Sequence, residues 1–325
     1  MSLAFDRSAD VARAVTVRRA GVVARDLCRR GGRGEIAAMF ERSLYLRSGE
    51  EFICIGEPAL GNGPTTLILA ARVAQLGLRQ GQRAFISNAR IAIGDLLLDL
   101  GACQTWRPPP WPPLPSPGVL RATCIDIARR AGVESPADSL ARAAFGADAT
   151  PLARLARPRV AMFTSWLSVG WAKRPKAACP PSTPRWARPL RGLSPPYSSV
   201  HNLIGLGPGL TPSGDDFLMG ALAALDASKQ TNMHAALGQA VLAAAGRTSP
   251  LSASLLRAAA AGHVGENLHV MIAALVTGDA DGAIAAAARI GHTSGWDALA
   301  GAVVALSGDP SRTTLDDGSL AARKF

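Results

Sequence analysis

Two ten-residue cassettes, 81 residues apart, constrain this chain more than any other feature. Ser213-Gly-Asp-Asp-Phe-Leu-Met-Gly-Ala-Leu222 aligns without gaps on Ser294-Gly-Trp-Asp-Ala-Leu-Ala-Gly-Ala-Val303, and six of the ten positions are identical. Ser followed three residues later by Asp, ahead of an apolar run, has the spacing of a capping box at a helix start. Gly220 and Gly301 then fall inside the helices, where glycine costs about 1 kcal/mol against alanine. That cost predicts a helix-on-helix contact in which two backbones approach closely. The cassettes differ at Asp215, which faces Trp296 in the alignment. Asp215 has no capping duty in this scheme, so it comes before Asp216 as a ligand contact.

The first cassette is entered through Gly205-Leu-Gly-Pro-Gly-Leu-Thr-Pro212, with three glycines in five residues. Such a loop turns sharply and brings backbone N–H groups close to a ligand. It feeds a helix N-terminus, where unpaired N–H donors and the positive dipole end favour an anion. Gly207, Gly209, Thr211, Ser213, Gly214 and Asp216 are therefore candidate substrate-binding residues. Two further polar turns open apolar helices, Arg247-Thr-Ser-Pro-Leu-Ser-Ala-Ser254 and Gly291-His-Thr-Ser-Gly-Trp-Asp297. Convergence of the three starts would add Thr248, Ser249, Thr293, Ser294 and Asp297 around a small, polar, anionic substrate. Each turn reads equally well as helix capping.

Asp215, His292 and Arg247 are the candidate catalytic groups. A guanidinium can clamp a carboxylate or phosphate in bidentate fashion. Arg247 also fits a cation at a helix C-terminus, and the sequence leaves both readings open. No metal or cofactor is expected. Asp215 and Asp216 are adjacent and point about 100° apart on a helix. The glycine loop lacks the Lys-Ser/Thr of a nucleotide P-loop, and no G-x-S-x-G nucleophile elbow is present.

The fold class expected is α+β: a β-rich, small barrel-like N-terminal domain over 1–118, then an all-helical domain over 119–325. Short strand-like segments lie at Ile36 to Leu46, Glu51 to Ile55, Thr65 to Ala70, Ala84 to Ser87 and Ile91 to Leu98, separated by turn signals. Residues 8–29 read as weakly helical. Trp106 to Gly118 holds seven prolines in thirteen residues and reads as a rigid linker. From Ser213 onward every segment reads as helix.

The net charge of +11 is concentrated, since residues 151–200 hold nine basic and no acidic residues. That block also carries nine of the 23 prolines and three of the six tryptophans, and it reads as a long solvated loop or insertion. Nucleic acid is not the expected partner. Five scattered cysteines suggest neither a disulfide framework nor a zinc site. No apolar run approaches the ~20 residues needed to span a bilayer. A soluble, cytoplasmic protein without membrane contact is expected.

The glycine loop, Gly291-His-Thr-Ser-Gly-Trp-Asp297 and Arg247-Thr-Ser-Pro-Leu-Ser252 together resemble the signature of the AllH family, with Ser43-Leu-Tyr-Leu-Arg47 and Gly61-Asn-Gly-Pro64 as weaker echoes. The resemblance covers roughly residues 35–108 and 200–306. It implies a subunit of oxamate carbamoyltransferase, acting in allantoin and purine catabolism. The implied reaction joins carbamoyl phosphate and oxamate to give oxalurate and phosphate. The implied partners are the other subunits of a hetero-oligomeric carbamoyltransferase and a small anionic substrate. A non-catalytic assembly or ligand-binding subunit is the alternative. The Ser-Thr-Arg-Thr phosphate motif of well-known carbamoyltransferases is absent from the sequence.

Overall fold

The computed structural model describes residues 13–146, 150–172 and 196–307. The chain forms two compact units. One runs to Pro110 and takes in Pro250–His269; the other comprises Trp111–Ser249 and the chain from Val270 on.

The first unit is built on β1 (Arg13–Gly21), β2 (Gly32–Met39), β3 (Ser43–Ser48), β4 (Glu51–Gly56), β5 (Thr66–Leu69), β6 (Arg83–Ile86), β7 (Arg90–Ile93), β8 (Leu96–Asp99) and β9 (Gln104–Trp106). Eight of them close into a barrel in the order β5-β4-β3-β2-β6-β7-β8-β1, with β1 pairing back to β5 and β9 appended to β1. Closure removes the free edges that an open sheet would expose. Alternate inward residues, among them Ile36, Leu44, Leu46, Ile53, Ile55, Leu67, Ile91 and Leu98, fill the interior. Tight turns at Gly49 and Gly94 adopt positive φ, as the turn signals there required.

The N-terminal stretch departs from expectation. Residues 13–21 form a strand, and only Val22–Arg30 is helical (α1). β1 is central to closure, running parallel to β8 through Arg13–Thr16 and antiparallel to β5 through Val17–Ala20. Apolar residues in this stretch satisfied a helical face and an alternating strand about equally, and strand pairing decided it.

This unit also holds α8 (Pro250–Ala260) and the start of α9 (Glu266–Thr277). The Phe52 N–H donates to the Ser254 hydroxyl at 3.3 Å, and Glu266 accepts from the Asn62 N–H at 2.7 Å and its amide at 2.8 Å. The Gly61-Asn-Gly-Pro64 turn is thereby fastened to a helix some 200 residues later in sequence.

The second unit contains α2 (Pro117–Glu134), α3 (Leu140–Phe145), α4 (Pro151–Ala172), α5 (Pro196–Leu203), α6 (Ser213–Ala227), α7 (Thr231–Ala244), α10 (Ala280–Ala287) and α11 (Ser294–Ser307). The loop reading of 151–200 is overturned where the chain is described. Residues 151–172 form α4, with Ala153, Ala156, Val160, Phe163 and Leu167 buried at alternating steps of three and four. Basic residues and an exposed Pro158 hid that stripe in the sequence. Residues 173–195, including Trp186 and Cys179, lie outside the described residues. Among the described residues, no helix is long and apolar enough to cross a membrane.

Candidate functional site

The two cassettes form one structure. An added Cβ on Gly220 would lie 1.8 Å from the Ala298 carbonyl oxygen, and one on Gly301 would lie 1.8 Å from that of Phe217. Residues 217 and 298 are themselves equivalent in the repeat, so the contact is reciprocal. Asp216 of α6 meets Ser294, the first residue of α11, and Asp297 of α11 meets Ser213, the first residue of α6. Only a parallel pair related by a local two-fold satisfies all four contacts. α6 and α11 thus lie side by side with their N-termini together, and the interior glycines permit the close approach. The other shared glycines pack likewise: a Cβ on Gly214 would lie 1.9 Å from the Leu203 oxygen, and one on Gly295 2.1 Å from the Ala287 oxygen.

This arrangement corrects the capping-box reading of both cassettes, since Ser294, like Ser213, is already the first helical residue. The N-cap position of α6 is Pro212, with no side-chain cap bond, and Ser213 is already helical. The Asp216 carboxyl therefore turns to the neighbouring helix instead of its own N-terminus.

Three glycines shape the loop ahead of α6, with φ of 72° at Gly205, 109° at Gly207 and 97° at Gly209. L-residues rarely adopt these angles, so the glycines are required by the backbone itself. The N–H groups of Gly207, Gly209, Leu210 and Thr211 have no hydrogen-bond partner among the described residues. Pro208, Gly209 and Leu210 are exposed.

The loop is held from beneath by the segment after α7. Asp215, fully buried, accepts from the Gly205 N–H at 2.8 Å and from the Thr248 hydroxyl. The Ser249 hydroxyl donates to the Leu210 carbonyl at 2.5 Å, and a Cβ on Gly205 would lie 2.6 Å from the Arg247 carbonyl. Asp215, Thr248 and Ser249 therefore shape the loop from within.

Asp216 and Asp297 have a different character. They are 4% and 0% exposed, and the Oδ2 atom of each is buried without a hydrogen-bond partner. Burial holds the Asp216 carboxyl well above the usual carboxylate range, and the charges of Asp297 and Asp215 push the same way. The hydroxyls of Ser294 and Thr211 oppose them. Burial likewise pushes Asp297 up to about 7, against the Ser213 hydroxyl, the Leu140 N–H and the Thr293 hydroxyl, while Asp138 raises it further. The Leu140 N–H donates to Asp297 Oδ1, which places the start of α3 at this site as well. Sequence reasoning missed Asp138 and Leu140, because nothing local marks them.

The structure brings Gly207, Gly209, Thr211, Ser213, Gly214, Asp215, Asp216, Thr248, Ser249, Thr293, Ser294 and Asp297 into one contiguous set at the paired helix starts. Arg247 is exposed on the short turn after α7. The His292 side chain is 78% exposed, with Nε2 at 3.5 Å from Asp138 Oδ1. Among the described residues, no group of three His, Cys, Asp or Glu side chains is arranged to hold a metal ion. A mainly apolar groove lined by Arg121, Val160 and Val303 opens near the far end of α11, away from the glycine loop.

Residues 203–306 match the family described as oxamate carbamoyltransferase subunit AllH, and residues 13–105 match the AllH family N-terminal domain. Neither the curated proteins nor the solved structures contain a match to the chain.

Proposed function

The chain belongs to the AllH family, and on that premise we propose that it is a subunit of an oxamate carbamoyltransferase-type enzyme. The reaction is carbamoyl phosphate plus oxamate giving oxalurate plus phosphate, within allantoin and purine catabolism in the cytoplasm. The glycine loop and the paired helix N-termini bind a small anionic substrate. The observation that carries this reading is the row of partnerless N–H groups at Gly207, Gly209, Leu210 and Thr211, beside two converging helix starts.

Ser213, Gly214 and Ser294 form the paired first turns of the cradle with Thr293 beside them, and Thr248 and Ser249 hold its loop in place. Arg247 supplies a cation from the rim, and His292 stands on the neighbouring turn as a proton carrier. Asp215 acts through the loop it fastens, as a positioning residue. Donors aimed at developing negative charge are the main contribution such a site makes to carbamoyl transfer. Other subunits of a hetero-oligomer complete the enzyme. The absent Ser-Thr-Arg-Thr motif favours a second reading, a binding or assembly subunit whose partner carries the chemistry.

Thermal melts with carbamoyl phosphate, oxamate, oxalurate and inorganic phosphate test the proposal. A concentration-dependent rise of about 2.7 kcal/mol in stability at a hundredfold excess over Kd is expected for a true ligand. No shift with any of the four, alone or with the partner subunits present, sinks the reading.

A further inference from the structure

The helical unit holds a groove of about 960 Å³ that has no part in the proposed reaction. Its walls are α2 and α4, which both pack against α3 and α11 but hardly meet each other. On α4 the lining residues keep to one helix face from Arg157 to Ser168, about 16 Å of wall. On α2 they keep to one face from Arg121 to Arg129, and α11 adds the nearly buried Val303 and Val304.

The lining is mainly apolar, and its three hydroxyls are spent inside α4. Thr164 donates to the Val160 carbonyl at 2.9 Å, Ser165 to that of Ala161 at 2.9 Å and Ser168 to that of Thr164 at 3.0 Å. Ile125, 42% exposed, stands in the opposite wall. Every charged residue lining the groove is an arginine: Arg121 and Arg129 from α2, Arg157 from α4. Arg157 donates to the Ala143 carbonyl at 3.1 Å and the Gly146 carbonyl at 2.7 Å, neutral groups that fix its place at the groove. Arg129 reaches Asp126 at 2.8 Å in an exposed pair, which is a weak tie in water.

Apolar walls bearing only positive charge suit a ligand with an apolar body and an anionic head. The size decides between a small molecule and a helix of another chain. A helix is about 10–12 Å across with its side chains, so 16 Å of one fills on the order of 1,500 Å³, more than this groove holds. The groove falls instead at the upper end of small-molecule sites, about 300–1,000 Å³.

We propose that the groove between α2 and α4 binds a single-chain aliphatic carboxylate. The chain lies along the apolar face of α4, and the carboxylate pairs with the α2 arginines while Arg157 adds charge from the opposite wall. This site is separate from the glycine loop and does not depend on the reading of that loop.

The test is calorimetric titration of the full chain with octanoate, decanoate, decan-1-ol and decyltrimethylammonium. One decanoate should bind per chain, about tenfold more tightly than octanoate because two further methylenes leave water. It should also bind at least about tenfold more tightly than the alcohol or the cation, and more weakly as salt is added. Ala161→Trp and, on the other wall, Ala128→Trp fill the groove and should abolish binding, with oxamate titrations unchanged. Arg121→Gln combined with Arg129→Gln should weaken decanoate about tenfold and leave decan-1-ol as it was. The comparison of head groups on the unmodified chain decides the question even if no variant folds. Several outcomes overturn the proposal: no decanoate binding, equal binding of the alcohol or the cation, or full binding in a well-folded Ala161→Trp. A self-associated chain that Ala161→Trp dissociates would make a second copy the occupant, and binding only after deletion of residues 308–325 would make that segment the occupant; either overturns it too.

Discussion

The first cassette and its repeat carry the same Ser, Gly, Asp, Leu, Gly and Ala, yet they are entered differently. α6 is reached through a three-glycine loop held by Asp215, Thr248 and Ser249. α11 is reached through the short turn Gly291–Thr293, and Trp296, 6% exposed, occupies the position of Asp215. The shared residues make the helix pair, and the differing ones make a loop on one side only. Architecture here is two-fold, whereas the three-glycine loop is built once.

That contrast can be broken at several levels. The largest effect is expected from Gly220→Val and Gly301→Val, each of which drives a side chain into a carbonyl oxygen 1.8 Å from where its Cβ would lie. Both should cost about 4 kcal/mol or more, or prevent folding, as read by denaturant unfolding. A well-folded Gly220→Val would break the claim that the glycines set the helix spacing. Trp296→Ala should cost about 3–5 kcal/mol through the cavity it leaves, without weakening anion binding. Thr248→Val should cost about 1–3 kcal/mol and weaken anion binding as well, since it removes a hydroxyl that donates to buried Asp215 and loosens the loop. Thr248→Ser should restore both. Equal binding defects in the Trp296 and Thr248 variants would erase the functional difference between the two sides.

A pH series sharpens the reciprocal part of the pair. Asp297 keeps its proton up to about 7 in the folded state, against about 4 in an unfolded chain. The folded state then binds more protons in that window, so the contribution of this group falls as pH rises through it and is lost above. Asp297→Asn should flatten the slope and leave the variant more stable than the parent at pH 8, by an amount on the order of a few kcal/mol. A variant with the parental slope would show that the carboxyl ionises freely. The smallest effects belong to Ser213→Ala and Ser294→Ala, at about 1 kcal/mol each and matched to each other, because each removes one hydroxyl from the opposite carboxyl.

Much of this was legible in the sequence. Gly220 and Gly301, placed where glycine is costly, announced the close helix contact, and the 81-residue spacing identified its partners. Gly49 marked the turn between β3 and β4, whereas Ile36 to Leu46 and Ile91 to Leu98, each read as one strand, are two strands apiece, the second pair turning at Gly94. What escaped is long-range. Residues 13–21 read as helix because their strand partners lie 47 or more residues away, at Leu67 to Leu69 and Leu96 to Asp99. The capping box at Ser213 and Asp216 was local logic overridden by a neighbour, for the carboxyl found a hydroxyl on another helix. Asp215 looked free of structural duty because its partner Thr248 is 33 residues away. The gapless alignment could have shown the crossed pairs, since residues repeated around a two-fold tend to meet each other.

The central claim is that anion binding belongs to the loop before α6 and not to its counterpart before α11. Gly209 and Gly291 make the cleanest comparison, with φ of 97° and 62°; a Cβ on Gly209 would touch nothing, and one on Gly291 would meet only Ser294 at 3.8 Å. Alanine at either strains its own turn by about 1–2 kcal/mol. Calorimetric affinities for oxamate and carbamoyl phosphate should fall about tenfold or more in Gly209→Ala and stay near the parental values in Gly291→Ala. Equal losses in the two variants, or a loss confined to Gly291→Ala, would contradict the account.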